Sequence, residues 1–384
     1  MRVATTYARK RGTSGIMSCS TPITPNSNHS SAPVVSVIIP MYNTERYIDE
    51  CIASLRAQTF PYFEAFCVDD ASEDASFASA QRATAGDARF TCLQLPQHGG
   101  QSVARNAALE QARGEYVVLL DSDDYLVPCA LEHLVAYAHT MQLDELYFNA
   151  RSFYESPQAH QLVREDFSNR PSFSQVATGL ELFTFFQQHD AFFPQAALRM
   201  VRRDLIEKHA IRFYEGIIHE DVLFTFMCLA YARRSSFLNE QLYMRRVRMG
   251  STMVQPKRTI ENVRGHYVCM REITTWVTRH ELVLSPAIID ALAKQLFAYR
   301  VLCARDWVHD IDPSDKQAFL ASLSVRDRFA FSEDIIALGT YLHAKDQEFY
   351  RSCSFRVGNA LLAAPRAVRN MITRARSFRK DNAQ

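Results

Sequence analysis

The chain lacks any stretch of about 18 consecutive apolar residues, so no transmembrane helix is expected. It also lacks an excess charge of either sign. Its 43 Lys and Arg stand against 42 Asp and Glu, which points to no nucleic-acid partner. No CxxC pair is present, and the nine cysteines are scattered and odd in number. Free thiols in a reducing cytosol fit that pattern better than a disulfide framework or a zinc site. Residues 1–33, rich in Ser, Thr, Pro and Asn, lack the apolar core of a secretory signal and read as a disordered leader. Met17 is an alternative start within it. The remaining composition, 47% hydrophobic and 22% charged over 384 residues, suits one large or two ordinary soluble domains without internal repeats.

From Val34 the pattern becomes regular. Val34 to Ile39 is a β-branched run stopped by Pro40, and Ile48, Cys51, Ile52 and Leu55 then share one helical face. Strands are expected over Ala65–Val68, Phe90–Leu95, Tyr116–Leu120 and Glu145–Ala150. Helices are expected over Asp74–Ala85, from an N-cap at Ser102 through Arg113, and from Pro128 onward. This alternation implies an α/β, Rossmann-like, mostly parallel sheet with helices on both faces. Helical patterns return at Gly179–Gln188 and Glu220–Arg233, and beyond Arg258 the chain reads as a helical C-terminal region. In such a sheet, ligands collect beyond the carboxyl ends of the strands. Asp69-Asp70 and Asp121-Ser122-Asp123-Asp124 both follow strands directly. Three carboxylates so close require a positive charge among them, and oxygen-only ligands suit Mg2+ or Mn2+, which in turn holds a diphosphate. Asp121 and Asp123 are the expected metal ligands, with Asp124 an alternative to either.

The ordered motifs resemble family-2 glycosyltransferases of GT-A fold. Ser36-Val37-Ile38-Ile39-Pro40-Met41-Tyr42-Asn43 is similar to their opening strand and nucleotide loop, and Val68-Asp69-Asp70-Ala71-Ser72-Glu73-Asp74 to their second acidic turn. Gly99-Gly100-Gln101-Ser102-Val103-Ala104-Arg105-Asn106 resembles the segment before the metal strand, and Asp121-Ser122-Asp123-Asp124 the metal motif. His219-Glu220-Asp221 falls where the family keeps its catalytic acidic pair. The resemblance spans Val34 to Ser251. It divides the chain into the leader 1–33, a GT-A domain 34–255 and a helical region 256–384. The domain in turn has a nucleotide-sugar half, 34–150, and an acceptor half, 151–255.

The resemblance implies sugar transfer from a UDP-sugar to a glycan or lipid-linked acceptor, in assembly of bacterial cell-surface polysaccharide. Asp69 and Asp70 would then contact the uracil and ribose, assisted by Pro40 and Tyr42, although a helix-capping role for the pair stands beside this. Arg105 would hold the diphosphate or sugar, or pair with an aspartate. Arg248 and Ser251 resemble a segment closing over the donor phosphates, and a plain basic strand is an equal alternative. Asp221 matches the general base, with Glu220 supporting the acceptor or the metal. Their side chains diverge by about 100° on a helix, so one alone should face the acceptor. A single base without a protein nucleophile implies inversion at the anomeric carbon.

The QxxRW motif of processive synthases is absent, which favours addition of one sugar. From Arg351 to Lys380 the chain carries eight basic residues and no acid. An amphipathic helix from Pro365 either lies on an anionic leaflet at the cytoplasmic face or packs on the domain. Two other functions compete. A nucleotidyltransferase calls for a basic Gly-rich loop near the first strand, where Pro40-Met41-Tyr42-Asn43 stands instead. A silent sugar-nucleotide-binding scaffold has no need of Asp121, Asp123 and Asp221 together.

Overall fold

The computed structural model describes residues 32–162, 167, 170–249, 259–308, 311–336 and 338–339. The leader up to residue 31, Ser251 and the basic tail lie outside the described residues. Eight strands form one sheet among those described: β1 (Val35–Met41), β2 (Phe63–Asp69), β3 (Phe90–Gln94), β4 (Tyr116–Leu119), β5 (Tyr125–Leu126), β6 (Glu145–Tyr154), β7 (Arg199–Arg202) and β8 (Ser235–Val247), in the order β3-β2-β1-β4-β7-β6-β8-β5.

The β3-β2-β1-β4 half is parallel throughout. Every residue of β1, β2 and β4 is buried. Since successive side chains point to opposite faces, both faces of these strands are covered. The apolar face foreseen at Ile48, Cys51, Ile52 and Leu55 is the buried face of helix α1 (Ile48–Arg56). The second half departs from simple alternation. The short strand β7 runs antiparallel to both β4 and β6, while β8 runs parallel to β6 and antiparallel to β5. The sheet is therefore mixed, with its parallel half carrying the first two acidic motifs.

Helices α2 (Ser76–Thr84), α3 (Gln101–Leu109), α4 (Ala130–Met141), α5 (Pro157–Leu162), α6 (Gly179–Gln188), α7 (Arg203–Lys208) and α8 (Glu220–Tyr231) connect the strands. Ser102 is not the cap of α3. Gly100, at φ 88°, occupies the cap position, and the Ser102 hydroxyl donates instead to the Tyr214 carbonyl at 2.9 Å. A positive φ there is cheap only for glycine. The helical region follows as α9 (Ile260–His280), α10 (Pro286–Val308), α11 (Pro313–Ser322) and α12 (Val325–Phe331). It packs on the sheet domain through one aromatic core. Phe183 and Phe186 of α6 and Phe226 of α8 meet Trp276 of α9 and Tyr299 of α10 there.

Candidate active site

The parallel register brings the carboxyl ends of β2, β1 and β4 side by side. Met41 pairs with Asp69, and the Leu120 amide donates to the Ile38 carbonyl at 2.9 Å. Asp121 thus starts one residue beyond the sheet. Arg105, from α3, lies beneath it and is 1% exposed. Its Nη2 donates to Asp121 Oδ1 at 3.0 Å, and its Nη1 donates to Glu220 Oε1 at 3.1 Å and Asp221 Oδ1 at 2.6 Å. One guanidinium therefore joins the acidic motif of β4 to the acidic pair 100 residues later. Buried charges require such pairing. Both acids of the pair turn to the same arginine, although adjacent helix positions diverge. They occupy the first turn of α8. Asp221 Oδ2 also accepts from the Ala196 amide at 3.2 Å. Burial, with the adjacent Asp221 charge, pushes Glu220 up to about 7.

The loop feeding α8 is tied to α3. Asn106 donates to the Phe213 carbonyl and accepts from the Phe213 amide, both at 2.9 Å, and the Phe213 ring lies under the Arg105 guanidinium at 4.8 Å.

The other acidic pair separates into two tasks. Both Asp70 oxygens accept main-chain N–H groups, from Gly99 and Gly100 at 2.8 Å each, with His98 Nδ1 2.9 Å away. Asp70 thus builds the loop ahead of α3. Asp69, wholly buried, accepts from the Ser72 amide and Gln94 Nε2 through Oδ2, each at 3.1 Å, and its Oδ1 has no hydrogen-bond partner among the described residues. A buried acceptor without a donor is costly unless a ligand completes it. Tyr42 is 41% exposed and stacks on His98 with ring centroids 4.2 Å apart. Pro40 lies inside β1 opposite Val68, just past the last β1–β4 pair, where its missing N–H breaks no ladder bond.

Residues 36–210 match the family model of glycosyl transferase family 2. That stretch, from β1 to α7, carries a glycosyltransferase family 2 domain. The chain is 28% identical over 298 residues to an uncharacterized glycosyltransferase, EpsJ, of Bacillus subtilis, covering 70% of this chain and 84% of that one. Among solved structures it resembles S. aureus TarS 1–349 in complex with UDP-GlcNAc, with a TM-score of 0.58 at 24% identity over 90% of this chain and 92% of that one. It also resembles the mannosyltransferase PcManGT of Pyrobaculum calidifontis in complex with GDP-Man and Mn2+, at TM-score 0.51 and 17% identity over 89% of this chain and 88% of that one. At these identities the structural likeness speaks for the GT-A fold.

In this glycosyltransferase the three carboxylates after β4 are not equivalent. Asp124 is 5% exposed, and both its oxygens are taken: Oδ2 by the Tyr243 hydroxyl at 2.7 Å, Oδ1 by the Arg246 amide at 2.6 Å. Burial and the neighbouring charges of Asp123 and Asp121 push its carboxyl well above the usual range. Asp124 therefore anchors the turn from within, buried and held by Tyr243 and Arg246, while its two neighbours are the more open carboxylates. Asp121 and Asp123, with side chains 34% and 21% exposed, use one oxygen each. Asp121 Oδ1 meets Arg105 and, at 3.2 Å, Gln101 Nε2, and Asp123 Oδ2 meets Arg248 Nε at 2.9 Å. Among the described residues no group of three or more His, Cys, Asp or Glu converges to cage an ion unaided. Two carboxylates with an oxygen each to spare do fit a hard divalent cation completed by water and phosphate.

Sequence reasoning missed Tyr243, Gln101 and the Arg246 anchors. Tyr243 is buried, and its hydroxyl donates to Asp124 while accepting the Asp121 amide at 3.2 Å. Register shifts in the β6–β8 ladder, between Phe148 and Ala150, set its place on the strand. Bulges re-aim side chains in this way. Arg246 reaches Glu155 at 3.3 Å, Glu50 and the Asp123 carbonyl. The segment Tyr243 to Arg248 thus carries structural bonds and is not a free basic surface. Tyr243→Phe is expected to destabilise the chain by about 1–3 kcal/mol, because it strands a buried amide and carboxylate oxygen. Urea midpoints at unchanged m-value report this.

Proposed function

We propose that the chain moves one sugar, with inversion, from a UDP-sugar to a hydroxyl of a glycan or lipid-linked acceptor in bacterial surface-polysaccharide assembly. Mg2+ or Mn2+ would be held by Asp121 and Asp123. The observation carrying this reading is the Arg105 bridge, which sets the candidate metal carboxylate and the acidic pair around one guanidinium. The TarS complexes with UDP-GlcNAc and UDP, and the Mn2+ in the mannosyltransferase complex, support the donor class and the ion. No described helix is long and apolar enough to cross a membrane. An acceptor at the membrane would be met from the cytoplasmic face, with the basic tail as the contact.

In this reading Asp221 takes the acceptor proton, its carboxylate oriented by Arg105 and the Ala196 amide. The spare Asp69 oxygen accepts the uracil N–H while Ser72 and Gln94 hold its other oxygen, and Tyr42 offers its ring to the base. Asp70 keeps the loop shaped for the ribose rather than touching it with a free oxygen. A bound divalent cation supplies Lewis-acid stabilisation of the departing diphosphate. Arg248, now on Asp123, is within reach to share that anion.

Calorimetric titration of UDP tests the donor site. With Mn2+ present, affinity is expected to exceed that in chelator by at least about tenfold, or about 1.4 kcal/mol. The double change Asp121→Asn with Asp123→Asn should erase that gain. Equal affinity with and without the ion, or an unaltered gain in the double variant, would contradict the assignment.

A further inference from the structure

The turn that delivers the acidic pair is held from the helical region. His219 precedes Glu220 with φ 68°, a left-handed conformation unusual for a residue with a side chain. Such a backbone persists only where its surroundings fix it. Here α9 and α10 do so. Gly265 of α9 lies against the turn's main chain so closely that a Cβ there would meet the Ile218 carbonyl oxygen at 2.1 Å. Cys269, one turn on, donates its thiol to the His219 carbonyl at 3.5 Å. The His219 ring stacks on His266 of α9 at 4.2 Å and 20°, and His266 lies parallel to Tyr299 of α10 at 6.4 Å. His266 Nδ1 stands 3.3 Å from Oδ2 of the buried Asp306, but neither atom makes a hydrogen bond there, so the ring is held by its stacking rather than by that carboxylate.

We propose that His266 is a positioning residue for transfer: through the ring of His219 it holds the turn that presents Glu220 and Asp221 to Arg105. This rests on the function proposed above and assigns the helical region a part in that same site. The His266 ring fixes His219, and the left-handed His219 sets the direction in which α8 begins. The donor-side residues on β1, β2 and β4 have no share in this column, so donor binding and transfer should respond differently.

The test uses the full chain and the UDP-sugar that the wild type hydrolyses fastest with Mg2+. His266→Ala is expected to lower kcat by about 10- to 100-fold, the scale of a small misplacement of a catalytic group, with UDP affinity held within about twofold. His266→Phe, which keeps a ring against His219, should recover most of kcat. Hydrogen exchange of the main-chain amides at 219–222 should quicken in His266→Ala and not in His266→Phe. Unchanged kcat in His266→Ala, or a parallel loss of kcat and UDP affinity that His266→Phe does not mend, overturns the proposal. If His266→Ala does not fold, His266→Gln carries the same test. It fills more of the space but loses the ring, and an unaltered kcat there also overturns the idea. A wild type that consumes no UDP-sugar defeats the function reading instead, and exchange at 219–222 still judges the positioning.

Discussion

Asp221→Asn is expected to lower kcat by about 10²- to 10⁴-fold, the range a positioned general base contributes, while UDP affinity stays within about twofold. The side chain touches Arg105 Nη1 at 2.6 Å and the Ala196 amide at 3.2 Å. An asparagine can satisfy one of these donors with its carbonyl oxygen but turns an N–H group towards the other. The amide also has no basicity to offer the acceptor hydroxyl. Glu220 is a poor substitute because its side chain is less exposed than that of Asp221 and its oxygen is turned onto Arg105. Single-turnover transfer separates this from a binding defect. Retention of more than about a tenth of wild-type kcat would remove Asp221 as the base.

Arg105→Ala should be the most damaging single change to stability. It removes the shared partner of Asp121, Glu220 and Asp221 from a site where the guanidinium itself is 1% exposed. Breaking a buried ion pair by deleting one partner costs about 3–5 kcal/mol, because the remaining charge is left unpaired in a poor solvent. Arg105→Lys should recover only part of this, since one ammonium does not replicate two nitrogens that face different carboxylates. The pH dependence has a defined sign. A carboxyl whose pKa is raised in the folded state binds more protons folded than unfolded, so its stabilising contribution is present at low pH and is lost as pH rises. Glu220 is already raised to about 7, and removing Arg105 takes away the influence that lowers it. The deficit of Arg105→Ala relative to wild type should therefore be small near pH 5 and grow towards pH 8, as read from urea unfolding at each pH. A constant deficit would mean that lost packing on Phe213, not unpaired charge, dominates.

What was readable in the sequence was local. Runs such as Val35 to Ile39 and Tyr116 to Leu119 are continuous and rich in β-branched or apolar residues, and the acids that follow them fall at strand ends because a parallel sheet gathers those ends together. The helical region announced itself in the same way, through long apolar spacing over Ile260–His280 and Pro286–Val308. The partners of those acids were not readable. Arg105 offered two readings, donor contact or aspartate partner, and the choice depended on residues 16, 115 and 116 positions away. Asp124 resembled its neighbours until Tyr243, 119 positions on, took one of its oxygens. The antiparallel return of Arg199–Arg202 is only four residues long, too short for a period to show. Asp69 and Asp70 look alike as letters, and only the Gly99 and Gly100 amides distinguish the loop-builder from the residue with an oxygen to spare.

Proton NMR of the wild-type chain with a panel of UDP-sugars, in Mg2+ and again in chelator, tests the central claim most directly. The account predicts that at least one UDP-sugar is consumed only with the ion. The sugar should first appear with the anomeric configuration opposite to that of the donor, before mutarotation blurs it. Consumption that ignores the chelator, or a first product of retained configuration, would contradict it.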